Sequence, residues 1–241
     1  MKVYENLIIG NFLYGLGFAI RGYMNQKTPL PGMVNLLQQT PVDPELADVL
    51  LNFPGTVRLL EFKMVDGDKR KEQDRHQLLT LAMEGENQDM INTSRNVHWY
   101  IEVSSTPDAP ARITRVVPYL DAFTQTVHAG PNQLEDLIDQ TARQAVQGSS
   151  PQMHIRAKSY LDFVRLTFRN KQIDAGGLLI VVDGQSGRID FAQLRDILDL
   201  NLPYGMWLEQ KPREHTIERP GKVLEHQHEI RKPGYQPGMR R

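Results

Sequence analysis

The chain has 241 residues, 40% of them hydrophobic and 24% charged, with a formal net charge of −1 and no cysteine. That length can bury a real core in one or two domains, and near-neutral charge excludes a global basic field, so nucleic-acid contact would need a local patch. The absence of cysteine excludes disulfides, thiolate metal sites and cysteine nucleophiles and fits a reducing compartment, with the cytoplasm as the default expectation.

Residues 7–20 are the most apolar stretch of the chain. About 14 residues are too few to cross a bilayer, and a lone Lys2 followed by Glu5 makes a poor secretory leader. The pattern predicts a buried core helix whose Gly10, Gly15 and Gly17 allow close packing, with a membrane-attached helix as the alternative. Those glycines have neither dinucleotide-loop nor P-loop spacing. Thr28-Pro29-Leu30-Pro31-Gly32 breaks the helix, and residues 33–39 read as a short apolar helical turn. Asp43, Pro44 and Glu45 are a helix start, with an N-cap, a proline at the first helical position and an acid near the positive end of the dipole. That helix is expected to run to about Leu51.

Phe53-Pro54-Gly55 then turns the chain into a strand over 57–65, closed by Asp66-Gly67-Asp68. A polar helix is expected over 69–83. After a polar loop, Val97 to Val103 is a strand by its aromatic and β-branched content. Alternation puts Val97, Trp99, Ile101 and Val103 on one face and His98, Tyr100 and Glu102 on the other. Residues 57–103 therefore read as a βαβ unit with parallel strands.

Further on, 113–117 reads as a short strand and 120–127 as helix. A second helix over 132–147 carries Leu134, Leu137, Ile138, Thr141 and Ala145 on one stripe. Gly148-Ser149-Ser150-Pro151 is the best sub-boundary, and 155–168 is an amphipathic helix with Tyr160, Leu161, Val164 and Phe168. The apolar run 177–182 is a buried strand, 183–187 a turn and 190–200 a helix. Asp183 cannot open a calcium loop, because Arg188 stands where glycine and Leu194 where the bidentate glutamate belong. From about 211 the tail carries Pro212, Pro220, Pro233 and Pro237, with eight Lys/Arg against four Glu, as an extended or disordered arm would. The expectation is an α/β fold: one domain over 1–210 with a small mixed sheet and flanking helices, then a Pro-rich arm over 211–241.

The chemistry-bearing pattern is Glu61-Phe62-Lys63. On a strand these two charged side chains share a face about 7 Å apart. A carboxylate there can hold Mg²⁺ or Mn²⁺ while the ammonium offsets charge developing on a phosphate. Lys69, Arg70, Lys71 and Arg75 follow closely and could form a phosphate-facing rim; otherwise they are an ordinary solvated helix face.

With a helix before it, a polar helix after it and another strand closing the unit, this segment resembles the PD-(D/E)xK nuclease superfamily over about residues 43–103. The resemblance implies that Glu61 binds the metal, that Lys63 acts near the scissile phosphate, and that Gln73, His76 or Gln77 of the next helix line the site, Gln77 being the one placed among the catalytic residues. The family's first acid normally sits on its own strand upstream. Here the upstream segment reads as helix, Asp43 serves as its N-cap, and Asp48 is the remaining choice as second metal ligand, with Glu5 more remote.

Two functions follow. One is a metal-dependent nuclease acting on DNA or RNA phosphodiesters. The other is a non-catalytic subunit of a multiprotein assembly that binds a partner through residues 211–241. His226 and His228, with His215 nearby, could bind metal, although a Pro-rich tail favours no structural role for them, and no serine-hydrolase or kinase motif is present.

Overall fold

The computed structural model describes residues 5–24, 30–37, 47–104, 112–124, 131–148 and 151–168, together with the backbone of 177–182, 189–194 and 215–217. The elements run α1 (Glu5–Tyr23), β1 (Leu30–Leu36), β2 (Val49–Phe53), β3 (Thr56–Met64), α2 (Arg70–Met83), α3 (Gln88–Val97), β4 (His98–Ser104), β5 (Arg112–Pro118), α4 (Leu134–Gln147), α5 (Pro151–Thr167), β6 (Gly177–Val182), β7 (Ile189–Leu194) and β8 (His215–Ile217). A 3₁₀ turn over Tyr119–Asp121 follows β5. The fold is mixed α/β, as expected.

One sheet runs in the order β5-β4-β3-β2-β1-β6-β7-β8. The expected strands are β3, β4, β5 and β6 of this mixed sheet; β1 and β2 lie between β3 and β6, and β7 and β8 extend it past β6. Among the described residues only β3 and β4 pair in parallel, Glu61 opposite Tyr100 and Lys63 opposite Glu102; the other pairings are antiparallel. α2 and α3 form the crossover between them, which confirms the βαβ unit.

Period-2 alternation divides the core into two layers. Leu60, Phe62, Trp99 and Ile101 pack with Ile9, Phe12 and Leu16 of α1 and Leu137 of α4. Leu59, Leu50 and Tyr100 face the other way, toward Leu79 and Met83 of α2 and Tyr160, Leu161 and Val164 of α5. α1 and α4 therefore cover one face of the sheet, and α2, α3 and α5 the other.

Several expectations are corrected. Residues 33–36 lie in a strand, since β1 is held on both edges by β2 and β6, and paired neighbours outweigh the turn chemistry of Pro31 and Gly32. The segment before Pro54 is the strand β2. Its run Val49-Leu50-Leu51 is buried on both faces, so it lacks the alternation that marks a half-exposed strand. Asp43 and Pro44 lie outside the described residues. The polar stretch after Met83 contains α3, capped by the Asn87 side chain, which accepts the Met90 N–H at 2.9 Å. Val97 ends α3 and packs on the α2 side with Tyr100, not with Trp99. Residues 190–194 are β7, paired with β6. Within the tail, 215–217 form β8 against β7, while the rest of the arm and the 183–187 turn lie outside the described residues.

α1 is amphipathic, not wholly buried: Ile9, Phe12, Leu16 and Ile20 face the sheet, whereas Tyr14 and Phe18 are each 77% exposed. A Cβ at Gly10 or Gly17 would touch nothing within 4 Å, so neither glycine serves close packing. Among the described residues no helix is long and apolar enough to cross a membrane. Close packing does require Gly55, in the β2–β3 turn, where a Cβ would lie 1.5 Å from the Gln144 carbonyl oxygen of α4.

Candidate active site

Asp48 immediately precedes β2, one step before Val49, which pairs with Leu60. Its N–H donates to the Leu60 carbonyl at 3.0 Å, and its Oδ2 accepts the Phe62 N–H at 2.6 Å. Asp48 thus stands beside Glu61 at the entry to β2, and its charge acts on Glu61, Lys63 and Arg75. The expectation of Asp48 on a helix is corrected: the upstream acid immediately precedes a strand of its own.

Alternation turns Glu61 and Lys63 to the same side as Val57 and Leu59, toward α2. The Lys63 ammonium contacts Glu61 Oε1 and stands 3.8 Å from Glu72 Oε2. Arg75 Nη1 lies 3.0 Å from Glu72 Oε2 and 3.9 Å from Glu61 Oε1. Tyr119, from the turn after β5, donates its hydroxyl hydrogen to Glu72 Oε1. Three acids and two cations from β2, β3 and α2 therefore form one cluster at the carboxyl ends of the parallel strands.

Burial governs its electrostatics. Glu61 is pushed well above the usual carboxylate range by burial and by the charges of Asp48 and Glu72, against the pull of Lys63 and Arg75. Burial also opposes charge on Glu72, but Arg75, Glu61, Tyr119 and Lys63 hold it below its ordinary value. Lys63 and Arg75 lose hydration, yet the acids outweigh that loss and keep both raised. Between the two buried glutamates, then, Glu61 is the one that holds a proton more readily, while Glu72 stays ionised.

The other predicted residues divide. Lys69 pairs with Glu102 at 2.6 Å, and the Tyr100 hydroxyl donates to the same Glu102 oxygen at 3.1 Å. Arg70 is exposed and paired with Asp68 at 2.7 Å, and Lys71 is exposed. Arg75 is not on that rim; it points inward, its guanidinium carbon 5.0 Å from the centre of the Phe168 ring. Gln77 and Gln73 lie on the exposed side of α2 and do not reach Glu61. His76 is buried, with Nε2 3.0 Å from the Leu120 carbonyl oxygen, and so serves packing between α2 and the turn after β5. Glu5 Oε1 accepts the Met64 N–H at 3.3 Å, one residue past Lys63.

Glu72 is the site residue that sequence reasoning missed. The apolar stripe of α2 contains Leu79 and Met83, and counting back by three and four residues reaches His76, Arg75 and Glu72 but not Gln77. Behind Glu72, the His98 ring stacks on Tyr119 with centroids 4.0 Å apart, and its Nδ1 shares a hydrogen bond with the Tyr160 hydroxyl at 2.9 Å. Burial holds His98 well below its ordinary value, with Arg75 and His76 adding to the effect.

Compared with models of protein families, with curated proteins and with solved structures, the chain matches none. Its own geometry carries the functional reading.

Among the described residues no three acids or histidines are grouped as a ready-made metal cage. Mg²⁺ does not require one, because it is typically held by one or two carboxylates, with waters and substrate phosphates completing the shell. Asp48 and Glu61, on adjacent strands, suit that donor set.

Proposed function

We propose that this chain is a metal-dependent nuclease of the PD-(D/E)xK type, acting on DNA or RNA phosphodiesters with Mg²⁺ or Mn²⁺. The observation that carries this reading is Asp48 beside Glu61, at the entry to β2 and hydrogen-bonded to β3, with Lys63 on the same face as Glu61. The order α1, β1, β2, β3, crossover helices, β4, with an acid opening β2 and E-x-K on β3, also supports it. Asp48 and Glu61 would hold the ion. Bound there, the ion supplies Lewis-acid polarisation of a phosphoryl oxygen and a water of lowered pKa. Lys63 offsets negative charge on the phosphate, and Glu72 orients Lys63 and Arg75 from behind.

Purified protein is incubated with plasmid, linear duplex, single-stranded DNA and RNA in Mg²⁺ or Mn²⁺, beside Asp48→Asn, Glu61→Ala and Lys63→Ala. The expected result is cleavage by the wild type and a loss of about 10²-fold or more in each variant, the scale for removing one preorganised charge. Equal degradation by all four proteins, or none by the wild type, removes the catalytic reading.

The second reading, a non-catalytic assembly subunit, draws support from Lys63 and Arg75, which already balance Glu61 and Glu72 with the chain's own charges. It expects a folded, inactive protein whose partner binding is lost when the chain is cut after Glu218. The cut falls there, not at 210, because β8 belongs to the sheet.

A further inference from the structure

The charges of the site are layered. Glu61 and Glu72 are each 2% exposed, whereas Lys63 is 19% and Arg75 12% exposed. An anion arriving from solvent meets the two cations first. A divalent cation must reach the acids beneath them.

Both cations also occupy the acids. Lys63 and Arg75 converge on the same oxygen, Glu61 Oε1, and again on Glu72 Oε2. They come from separate elements, β3 and α2, so each can leave without moving the other's backbone. Arg75 has an apolar platform in Phe168, a contact that keeps a guanidinium close to the site after it loses a carboxylate partner. An anion that competes for both cations releases the acids.

We infer that Arg75, with Lys63, is the phosphodiester-binding half of this site, resting on Glu61 and Glu72 until an anion draws both outward, so that phosphodiester and divalent cation bind cooperatively. The inference rests on the nuclease reading and adds its substrate-binding residue and its order of assembly. With no anion present, a divalent ion at Glu61 faces two like charges a few ångströms away. Once a phosphodiester holds Lys63 and Arg75, the acid oxygens turn toward the ion. By linkage, whatever the anion does for metal affinity the metal does for anion affinity. A guanidinium suits this duty, because its planar fork binds phosphate oxygens in pairs.

The test uses the full chain. Mn²⁺ binding to the protein alone is measured by electron paramagnetic resonance for wild type, Arg75→Gln and Arg75→Lys. Binding of a fluorescein-labelled single-stranded oligonucleotide is then followed by anisotropy in EDTA and in Ca²⁺. In the wild type, Ca²⁺ is expected to tighten oligonucleotide binding by about 10-fold, within the usual range of such couplings. Arg75→Gln is expected to bind Mn²⁺ about 10-fold more tightly than the wild type and to lose the Ca²⁺ effect, and Arg75→Lys to restore that effect. Unchanged Mn²⁺ affinity in a folded Arg75→Gln, or an intact Ca²⁺ effect in it, overturns the inference and leaves the metal site standing. No Mn²⁺ binding by any of the three overturns the nuclease reading and the inference with it.

Discussion

Arg58 is buried and Arg75 half-buried beside β3, on opposite faces of the sheet, and their surroundings differ in kind. Arg58 lies against α4 and the end of α3, donating to the Asn96 carbonyl at 2.7 Å, to Gln144 Oε1 at 2.6 Å and to Thr141 Oγ1 at 3.3 Å. None of these acceptors is charged, and burial lowers its pKa to about 10. Arg75 stands among carboxylates that raise its pKa against the same burial. One face spends a cation on tying elements together with neutral acceptors; the other gathers opposite charges beyond what packing requires. A charge held by neutral dipoles is fixed in place, whereas charges held by one another can be exchanged for outside partners. This difference is what makes the α2 face the candidate site.

The largest test of the contrast is Glu72→Ala. It leaves Arg75 and the Tyr119 hydroxyl buried without their acceptor, and a loss of about 3 kcal/mol in urea-unfolding free energy is expected. Replacing both partners, Glu72→Leu with Arg75→Leu, is expected to restore most of that loss. If the double variant is no better than the single, the cluster contributes to the fold and the contrast between the faces fails. A smaller effect is expected on the other face. Arg58→Met loses the hydrogen bonds to Asn96, Gln144 and Thr141 but also a desolvated charge, leaving a net cost of about 1–2 kcal/mol by the same measurement.

The smallest expected effect is a pH dependence from His98. Its folded pKa lies below its unfolded value, so the unfolded chain takes up the extra proton and stability falls as pH drops through about 6.5. Thermal or urea melts should lose about 1 kcal/mol between pH 7 and pH 5.5. His98→Phe, which keeps the stacking on Tyr119, should flatten that part of the profile. An unchanged slope would assign it to other groups.

The unit from β3 to β4 was legible because its strands and α2 each carry the period of their own element. The wrongly read segments share a physical cause. β2 is buried on both faces, so its sequence shows no alternation, and the Asp-Pro-Glu run upstream offered a competing local signal. β1 takes its conformation from β2 and β6, which local propensity cannot report. α3 is mostly polar, and its amphipathic face is limited to a few positions such as Ser94 and Val97. In the site, Glu61 and Lys63 were legible as a same-face pair. Asp48 was named but set on the wrong kind of element, and Glu72 was passed over for Gln77 because its place depends on which stripe of α2 turns inward. Arg75 read as surface for the same reason, since a basic run gives no hint of which member points in.

The position of β1 has a consequence for how the chain is made. Leu30 pairs with Val182, so during synthesis one edge of β1 waits for a strand lying roughly 150 residues downstream. At typical ribosomal rates of about 5–20 residues per second, the wait is on the order of ten to thirty seconds. β2 to β5 can assemble in that interval, and β1 meanwhile presents unpaired backbone groups, the template on which chains associate wrongly. A nascent chain stalled after α5 therefore leaves that edge of β1 without its strand partner, and emergence of β6 supplies it.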